Sequence, residues 1–236
     1  MTILLAPSET KSDGGSGRFD LDALSFSSIQ RQQVIHAYEN CLKDSACVEK
    51  IFSTTKQKDE DIQRYSSKRV KKAILRYEGV AFEYLDYLSL SSEAKSYIHS
   101  NVYLFSNLYG ILRADNEIPY YRLKQGAKIG SINPASYYKK QLGFLDDAFG
   151  TVFDLRANHY EKFYTPKKPY YSAKFIKNGK SVSHWAKAYR GLLTRVCAQN
   201  SIQSIDQLLE LDIQGLEYLE TVEEKKGKNT LVYAIK

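Results

Sequence analysis

Ser8, Glu9 and Lys11 place a hydroxyl, a carboxylate and an ammonium within four residues, directly after a short apolar run at residues 2–6. A run of that length stopped by Pro7 predicts a buried strand, so the polar group belongs to the loop leaving its C-terminal end. Loops at that end of an α/β sheet present backbone and side chains to ligands. The set suits a phosphate or a base edge, and it suits equally a capped turn with a surface ion pair. It is not a Walker A loop, since no Gly-x4-Gly-Lys-Ser/Thr run occurs.

The second concentration of chemistry is basic. Between residues 151 and 195, ten Lys/Arg meet two acids, Asp154 and Glu161, so this window is net +8 in a chain of net +7. Tyr160, Tyr164, Tyr170, Tyr171, Trp185 and Tyr189 are interleaved with the cations. Clustered cations release counterions from a polyanion, and aromatic rings stack on bases. A solvated basic face above packed tyrosines accounts for the same pattern. Pro166-Lys167-Lys168-Pro169 holds two lysines extended without an internal partner, which predicts phosphate contact. Lys187 and Arg190 share one face of a predicted helix starting near Trp185. Asp154 beside Arg156 reads as a structural ion pair or as an acid/base next to an anion clamp. Arg113 and Arg122 offer planar forks for phosphate or carboxylate, or tie a loop to the core.

Composition narrows the class. The chain has 236 residues, 43% of them hydrophobic, with 19 tyrosines, enough for a sizeable core. No stretch approaches the length of an apolar membrane span, and the N-terminus lacks a basic leader. The three cysteines lack CxxC spacing, and His36, His99, His159 and His184 are scattered. These features predict a reduced, cytoplasmic chain with no metal site and no cofactor. Asp59, Glu60, Asp61, Asp146 and Asp147 read as helix-surface acids.

Periodicity places strands at 2–6, 79–82, 102–105, 151–155 and 171–176, and helices at 28–44, 66–77 and 136–149. Lys68, Lys72 and Arg76 would then form a smaller basic stripe on one helix. Asn178-Gly179 predicts a hairpin into 181–183, and residues 216–222 with 230–235 a closing hairpin. Strands and helices mix without a clean βαβ repeat. The expectation is α+β or mixed α/β: one compact domain over 1–236, with a mixed sheet and a C-terminal β-hairpin.

Several runs together carry a resemblance. They are Pro7-Ser8-Glu9-Thr10, Tyr77-Glu78-Gly79-Val80-Ala81-Phe82 and Asn107-Leu108-Tyr109-Gly110-Ile111-Leu112-Arg113. Ile118-Pro119-Tyr120-Tyr121-Arg122-Leu123, Pro166-Lys167-Lys168 and Ala186-Lys187-Ala188-Tyr189-Arg190-Gly191-Leu192-Leu193 complete the set. In this order the chain resembles the YaaA family of bacterial peroxide-stress proteins over essentially its whole length. The resemblance implies a cytoplasmic protein that protects cells during hydrogen peroxide stress, lowers free iron and the DNA damage it drives, and binds DNA in a basic cleft. By motif position that cleft would use Lys167, Lys168, Lys187 and Arg190, with Arg113 and Arg122 nearby. Glu9 stands where many family members carry lysine.

Two functions follow. One is a DNA-binding stress protein without bond-making chemistry. The other is an enzyme or small-ligand protein acting on a nucleotide or modified base. In the second, Ser8, Glu9, Lys11, Arg113, Asp154, Arg156, Lys187 and Arg190 would converge on one pocket. Glu9 or Asp154 would then be the acid/base, and Lys187 with Arg190 the anion clamp.

Overall fold

The computed structural model describes residues 1–26, 28–156, 158–182 and 184–236. The chain opens on β1 (Thr2–Leu5), whose Ile3 and Leu4 are wholly buried, as an apolar strand covered on both faces must be. A long loop leads to α1 (Ser28–Cys41), α2 (Ser45–Ile51) and α3 (Lys58–Ser66). β2 (Val70–Lys72), α4 (Ala73–Arg76), α5 (Val80–Leu85) and α6 (Ser92–Asn101) precede a hairpin of β3 (Val102–Ser106) and β4 (Gly110–Arg113). Then come β5 (Glu117–Pro119), α7 (Pro134–Lys139), α8 (Leu145–Ala148), β6 (Val152–Leu155) and α9 (Asn158–Glu161). β7 (Tyr170–Lys177) turns into β8 (Lys180–Ser181), followed by α10 (His184–Gln199) and α11 (Ile205–Leu209). β9 (Leu216–Glu223) and β10 (Lys228–Ile235) close the chain.

The main sheet runs β4-β3-β1-β6-β7-β10-β9, with β8 beside β7. β3, β1, β6, β7 and β10 are parallel neighbours, and β4 and β9 add antiparallel edges. This is the mixed sheet with a terminal hairpin that the sequence predicts, in an α/β fold. β2 and β5 form a separate small antiparallel pair.

Three expected elements differ. The helix at 66–77 is instead the end of α3, then β2 and α4: Lys68 takes a positive φ of 54° that stops the helix, and residues 70–72 pair with β5. Lys68, Lys72 and Arg76 therefore form no stripe; Lys68 pairs with Glu39, and Arg76 is buried. The expected strand at 79–82 is the start of α5, because Gly79 at φ 110° lets the chain turn sharply into a helix. The helix at 136–149 breaks into α7 and α8, and Pro134 at the start of α7 sits where its missing N–H costs nothing. Ser183, where the strand after the β7 turn was expected to finish, lies outside the described residues.

The polar core also departs from expectation. Asp61 is buried rather than on a helix surface, accepting from the Tyr120 hydroxyl at 2.6 Å and from Arg122 at 3.0 Å. Asp146 is also engaged, accepting from the Tyr164 hydroxyl at 3.0 Å. Cys41 and Cys47 are not both free thiols. The turn between α1 and α2 brings their Cα atoms to 5.3 Å, and they are joined in a disulfide. The expectation of reduced cysteines rested on missing CxxC spacing, which says nothing about a pair made by a helix reversal.

Arg76 donates to the carbonyls of Ser12, Gly14, Arg69 and Ile118, and this holds the glycine-rich loop after β1 against the small sheet. Gly191 sets the crossing of α10 over α5: a Cβ there would lie 1.9 Å from the Ala81 carbonyl oxygen. Gly191→Ala must push the two helices apart and is expected to cost about 2–3 kcal/mol or more in urea unfolding. Gly143→Ala, where a Cβ meets nothing within 4 Å, should change stability by less than about 1 kcal/mol. Equal effects at the two positions would show that the helix crossing is not tight.

Candidate functional site

A cleft of about 460 Å³ lies at the C-terminal ends of β1 and β6, a size usual for small-molecule sites. Its floor is the loop after β1, with Ser8, Glu9 and Thr10. One wall is Glu78, Gly79 and Phe82 at the start of α5, and the other is Tyr160 with Lys187 and Arg190 of α10. Each wall has a reason in the sequence. Pro7 ends the strand at the sheet's centre, Gly79 turns the chain into α5, and Gly191 lets α10 close down beside it.

Glu9 is held on two sides. Its Oε2 accepts from the Ser53 hydroxyl at 2.6 Å and its Oε1 from the Gln125 N–H at 2.8 Å. Burial opposes its charge, but those bonds and the Lys11 and Lys124 charges together keep its pKa below the ordinary value. The Ser8 hydroxyl accepts from the Thr10 N–H at 3.2 Å, which leaves its own proton to donate. Burial raises the pKa of Tyr160, so its hydroxyl keeps its proton. Burial works against the Arg190 charge, while Asp154 and Glu161 support it. Among the described residues the Arg190 guanidinium has no hydrogen bond and no ion pair. A desolvated guanidinium that lines a cleft and has no partner among the described residues has the chemistry to accept an anion.

Lys11 lies beneath the floor. Its Nζ donates to the Ser8 and Glu9 carbonyls, each at 3.1 Å, and sits 4.1 Å from the Tyr121 ring centroid. Full burial lowers its pKa to about 7; Glu9 and Asp61 oppose the shift, and Arg122 and Arg76 add to it. Lys11 is thus the post under the loop rather than a cleft-lining group.

The fold brings Ser8, Glu9, Lys187 and Arg190 together and places the other candidates elsewhere. Asp154 and Arg156 form a buried pair at 2.6 Å, and Arg156 also donates to the Tyr160 and Tyr164 carbonyls. That pair positions the Tyr160 segment from behind. Arg113 pairs with Asp115 at 3.0 Å beside a different surface pocket, and Arg122 pairs with buried Asp61. Lys167 and Lys168 precede β7, whose Tyr171 is level with Phe153 and hence with Ile3, so they lie at the N-terminal end of the parallel strands. They are exposed there, Lys167 beside Asp146 at 3.7 Å, at the opposite end of the sheet from the cleft.

The interleaved aromatics are mostly not surface groups. Tyr160, Tyr164 and Tyr170 are core residues, and Tyr189 stacks on Phe175. Trp185 is 45% exposed at the start of α10, with the Lys177 ammonium 5.9 Å from its ring. Lys177 and Lys180 flank the turn at the C-terminal end of β7, the same end as the cleft.

Sequence reading missed Gly79 as a wall, Gln125 and Ser53 as the holders of Glu9, and Tyr160 as a lining residue. The Glu-Gly pair at 78–79 was the available signal for the wall. Ser53 and Gln125 come from distant loops and Tyr160 from α9, and they left none. The run from Asn107 to Arg113 serves structure: Ser106 Oγ accepts from the Leu108 and Tyr109 N–H groups, and Tyr138 donates to the Leu108 carbonyl at 2.6 Å. Among the described residues no three His, Cys, Asp or Glu side chains converge to hold a metal, and no helix is long and apolar enough to cross a membrane.

Comparison with known proteins gives a consistent match. The profile of the family described as peroxide stress protein YaaA matches residues 1–222. The chain is 35% identical to the uncharacterized protein Cj0984 of Campylobacter jejuni over 92% of this chain and 96% of that one. It is 29% identical to the UPF0246 protein Cgl1995/cg2186 of Corynebacterium glutamicum over 100% of both. A UPF0246 protein of Colwellia psychrerythraea is 30% identical over 67% of this chain and 68% of its own.

Lys11 makes stability depend on pH. Its folded pKa of about 7 lies below the ordinary 10.5, so between these values the unfolded chain binds the extra proton. The cost of burying the charge is therefore full below pH 7 and is relieved as pH rises toward 10.5. Relative to Lys11→Met, the native chain should gain on the order of 3 kcal/mol between pH 7 and 9.5 in urea unfolding. A constant difference between the two proteins would mean that Lys11 keeps its ordinary affinity for protons.

Proposed function

Because the chain belongs to the peroxide stress protein YaaA family, we propose that it serves that response by binding DNA at this cleft, with a backbone phosphate seated between Lys187 and Arg190. The observation that carries the reading is the desolvated Arg190 guanidinium, without a hydrogen bond or ion pair among the described residues. A phosphate oxygen supplies the negative charge and the acceptor lone pairs that such a group lacks. The adjoining surface extends the site. Lys177 and Lys180 add positive charge at the same end of the sheet, and Trp185, 45% exposed, gives a ring on which a base can stack. No bond-making step is assigned, and the protein acts by occupying DNA that peroxide and iron chemistry would damage.

A second reading has its own support. The cleft is recessed and of small-molecule size, and Ser8, Tyr160 and Glu9 are among the residues that line it. These groups match the edge of a base or a ribose better than they match a bare phosphate. On this reading a free nucleotide enters phosphate-first toward Arg190.

Fluorescence anisotropy with duplex and single-stranded DNA, titrated with salt, separates the readings when a mononucleotide competitor is included. Contacts from Lys177, Lys180, Lys187 and Arg190 predict a log–log salt slope of about −4 on duplex. Lys187→Ala/Arg190→Ala should weaken binding by about tenfold or more and flatten the slope by about two. Lys167→Ala/Lys168→Ala, at the other end of the sheet, should leave the slope unchanged. Tight mononucleotide binding with weak DNA binding would favour the second reading. DNA binding untouched by Lys187→Ala/Arg190→Ala would remove the cleft from the interface.

A further inference from the structure

Cys41 is the last residue of α1, and Cys47 lies in the first turn of α2; the intervening reversal joins them in a disulfide. Cys41 is buried and Cys47 is partly exposed, so an oxidant from solvent reaches the Cys47 sulfur first. Cys197 differs from both. It is wholly buried in α10, and burial pushes its thiol up to about 12, which leaves it unreactive.

We propose that Cys41 and Cys47 form a reversible dithiol–disulfide site oxidised by hydroperoxides, and that its state sets how firmly Glu9 is held at the cleft. The oxidation balances in two steps. The Cys47 thiolate attacks one oxygen of hydrogen peroxide, the O–O bond breaks, and the departing hydroxide takes a proton to become water. Cys47 is then a sulfenic acid. The Cys41 thiolate attacks that sulfur, the S–S bond forms, the S–O bond breaks, and the second oxygen leaves as water. Two thiols lose two electrons and two protons, and the peroxide is reduced to two waters. A dithiol reductant reverses the change by thiol–disulfide exchange.

The path to the cleft is short and covalent for most of its length. α2 runs from the disulfide to Ile51, whose carbonyl accepts from the Lys124 N–H at 2.6 Å. Two residues past Ile51, the Ser53 hydroxyl donates to one Glu9 oxygen, and Gln125, next to Lys124, donates to the other. α2 and the 124–125 turn thus grip Glu9 from two sides and are bonded to each other. The disulfide ties the start of α2 to α1; reducing it frees the 42–46 turn and loosens the grip. The effect on ligand affinity rests on the cleft reading above, whereas the thiol chemistry stands without it.

The test uses the full chain, reduced with dithiothreitol and then exposed to excess hydrogen peroxide. Peptide mass mapping should show loss of about two mass units confined to the Cys41–Cys47 pair, reversed by thioredoxin, while Cys197 stays alkylatable after unfolding. In Cys41→Ser the sulfenic acid should persist on Cys47 and be trapped by dimedone. A native pair that stays reduced in peroxide, or a disulfide in folded protein that resists thioredoxin, would overturn the site. Coupling is read without ligand, from amide exchange of Gln125, which should slow on oxidation in the native chain and in Cys197→Ser but not in Cys47→Ser. It is read again from mononucleotide and DNA affinity, which should change by about fivefold or more. Unchanged Gln125 exchange would overturn the coupling. Altered exchange with no ligand bound in either state would count against the cleft reading alone.

Discussion

The close approach of α10 to α5 is the contact on which the candidate site depends. Two helices reach this distance only where a side chain is missing, and Gly191 meets the Ala81 carbonyl without a Cβ between them. That crossing brings the first turns of α10, with Lys187 and Arg190, against the segment that begins at Gly79. Both helices stand at the C-terminal end of β1, so the polar loop at residues 8–11 becomes the floor of a cleft rather than a surface turn. A side chain at 191 would push the α10 wall away from the α5 wall before it touched any ligand.

Buried cations do much of the organising beneath that site, and backbone carbonyls are their main partners. Arg31 donates to the carbonyls of Tyr109 and Ile111, Arg76 to those of four loop and strand residues, and Lys11 to those of Ser8 and Glu9. A guanidinium has five N–H donors in a plane, so one arginine can satisfy several loop carbonyls that neither helix nor sheet would pair. Loops tied this way behave as rigid parts of the fold. The tyrosines extend the principle: Tyr77, Tyr121 and Ser106 form a hydroxyl chain with links of 2.8 Å. Lys11 is the exception in charge state, because burial brings its proton affinity near neutrality.

The basic segment shows how far linear charge can mislead. Its net charge is concentrated between residues 151 and 195, yet a loop that crosses from one end of a parallel sheet to the other distributes it. Arg156 is spent on Asp154, Lys167 and Lys168 sit at one end of the sheet, and Lys177, Lys180, Lys187 and Arg190 sit at the other. The rings between them mostly entered the core, since burying their large apolar area is favourable, and the Tyr164 hydroxyl finds Asp146 there. Trp185 remained at the surface.

The sequence by itself determined the elements with strong local signals: the apolar β1, the strands at Val102 and Val152, the Asn178-Gly179 turn, the amphipathic α10 and the closing hairpin. It also marked Ser8, Glu9, Lys187 and Arg190, because polar groups after a buried strand and cations on one helix face are legible from spacing. Only the tertiary structure decided the rest. The 66–77 segment could not be read, because β2 forms by pairing with β5 and by a bridge from Val70 to Ser16, both distant along the chain. Glu9 is held by Ser53 and Gln125, Asp61 is buried by Arg122 and Tyr120, and Cys41 meets Cys47 through a helix reversal. Each of these depends on where the backbone returns in space, and local propensity carries no record of which distant segment will supply the matching charge, hydrogen bond or sulfur.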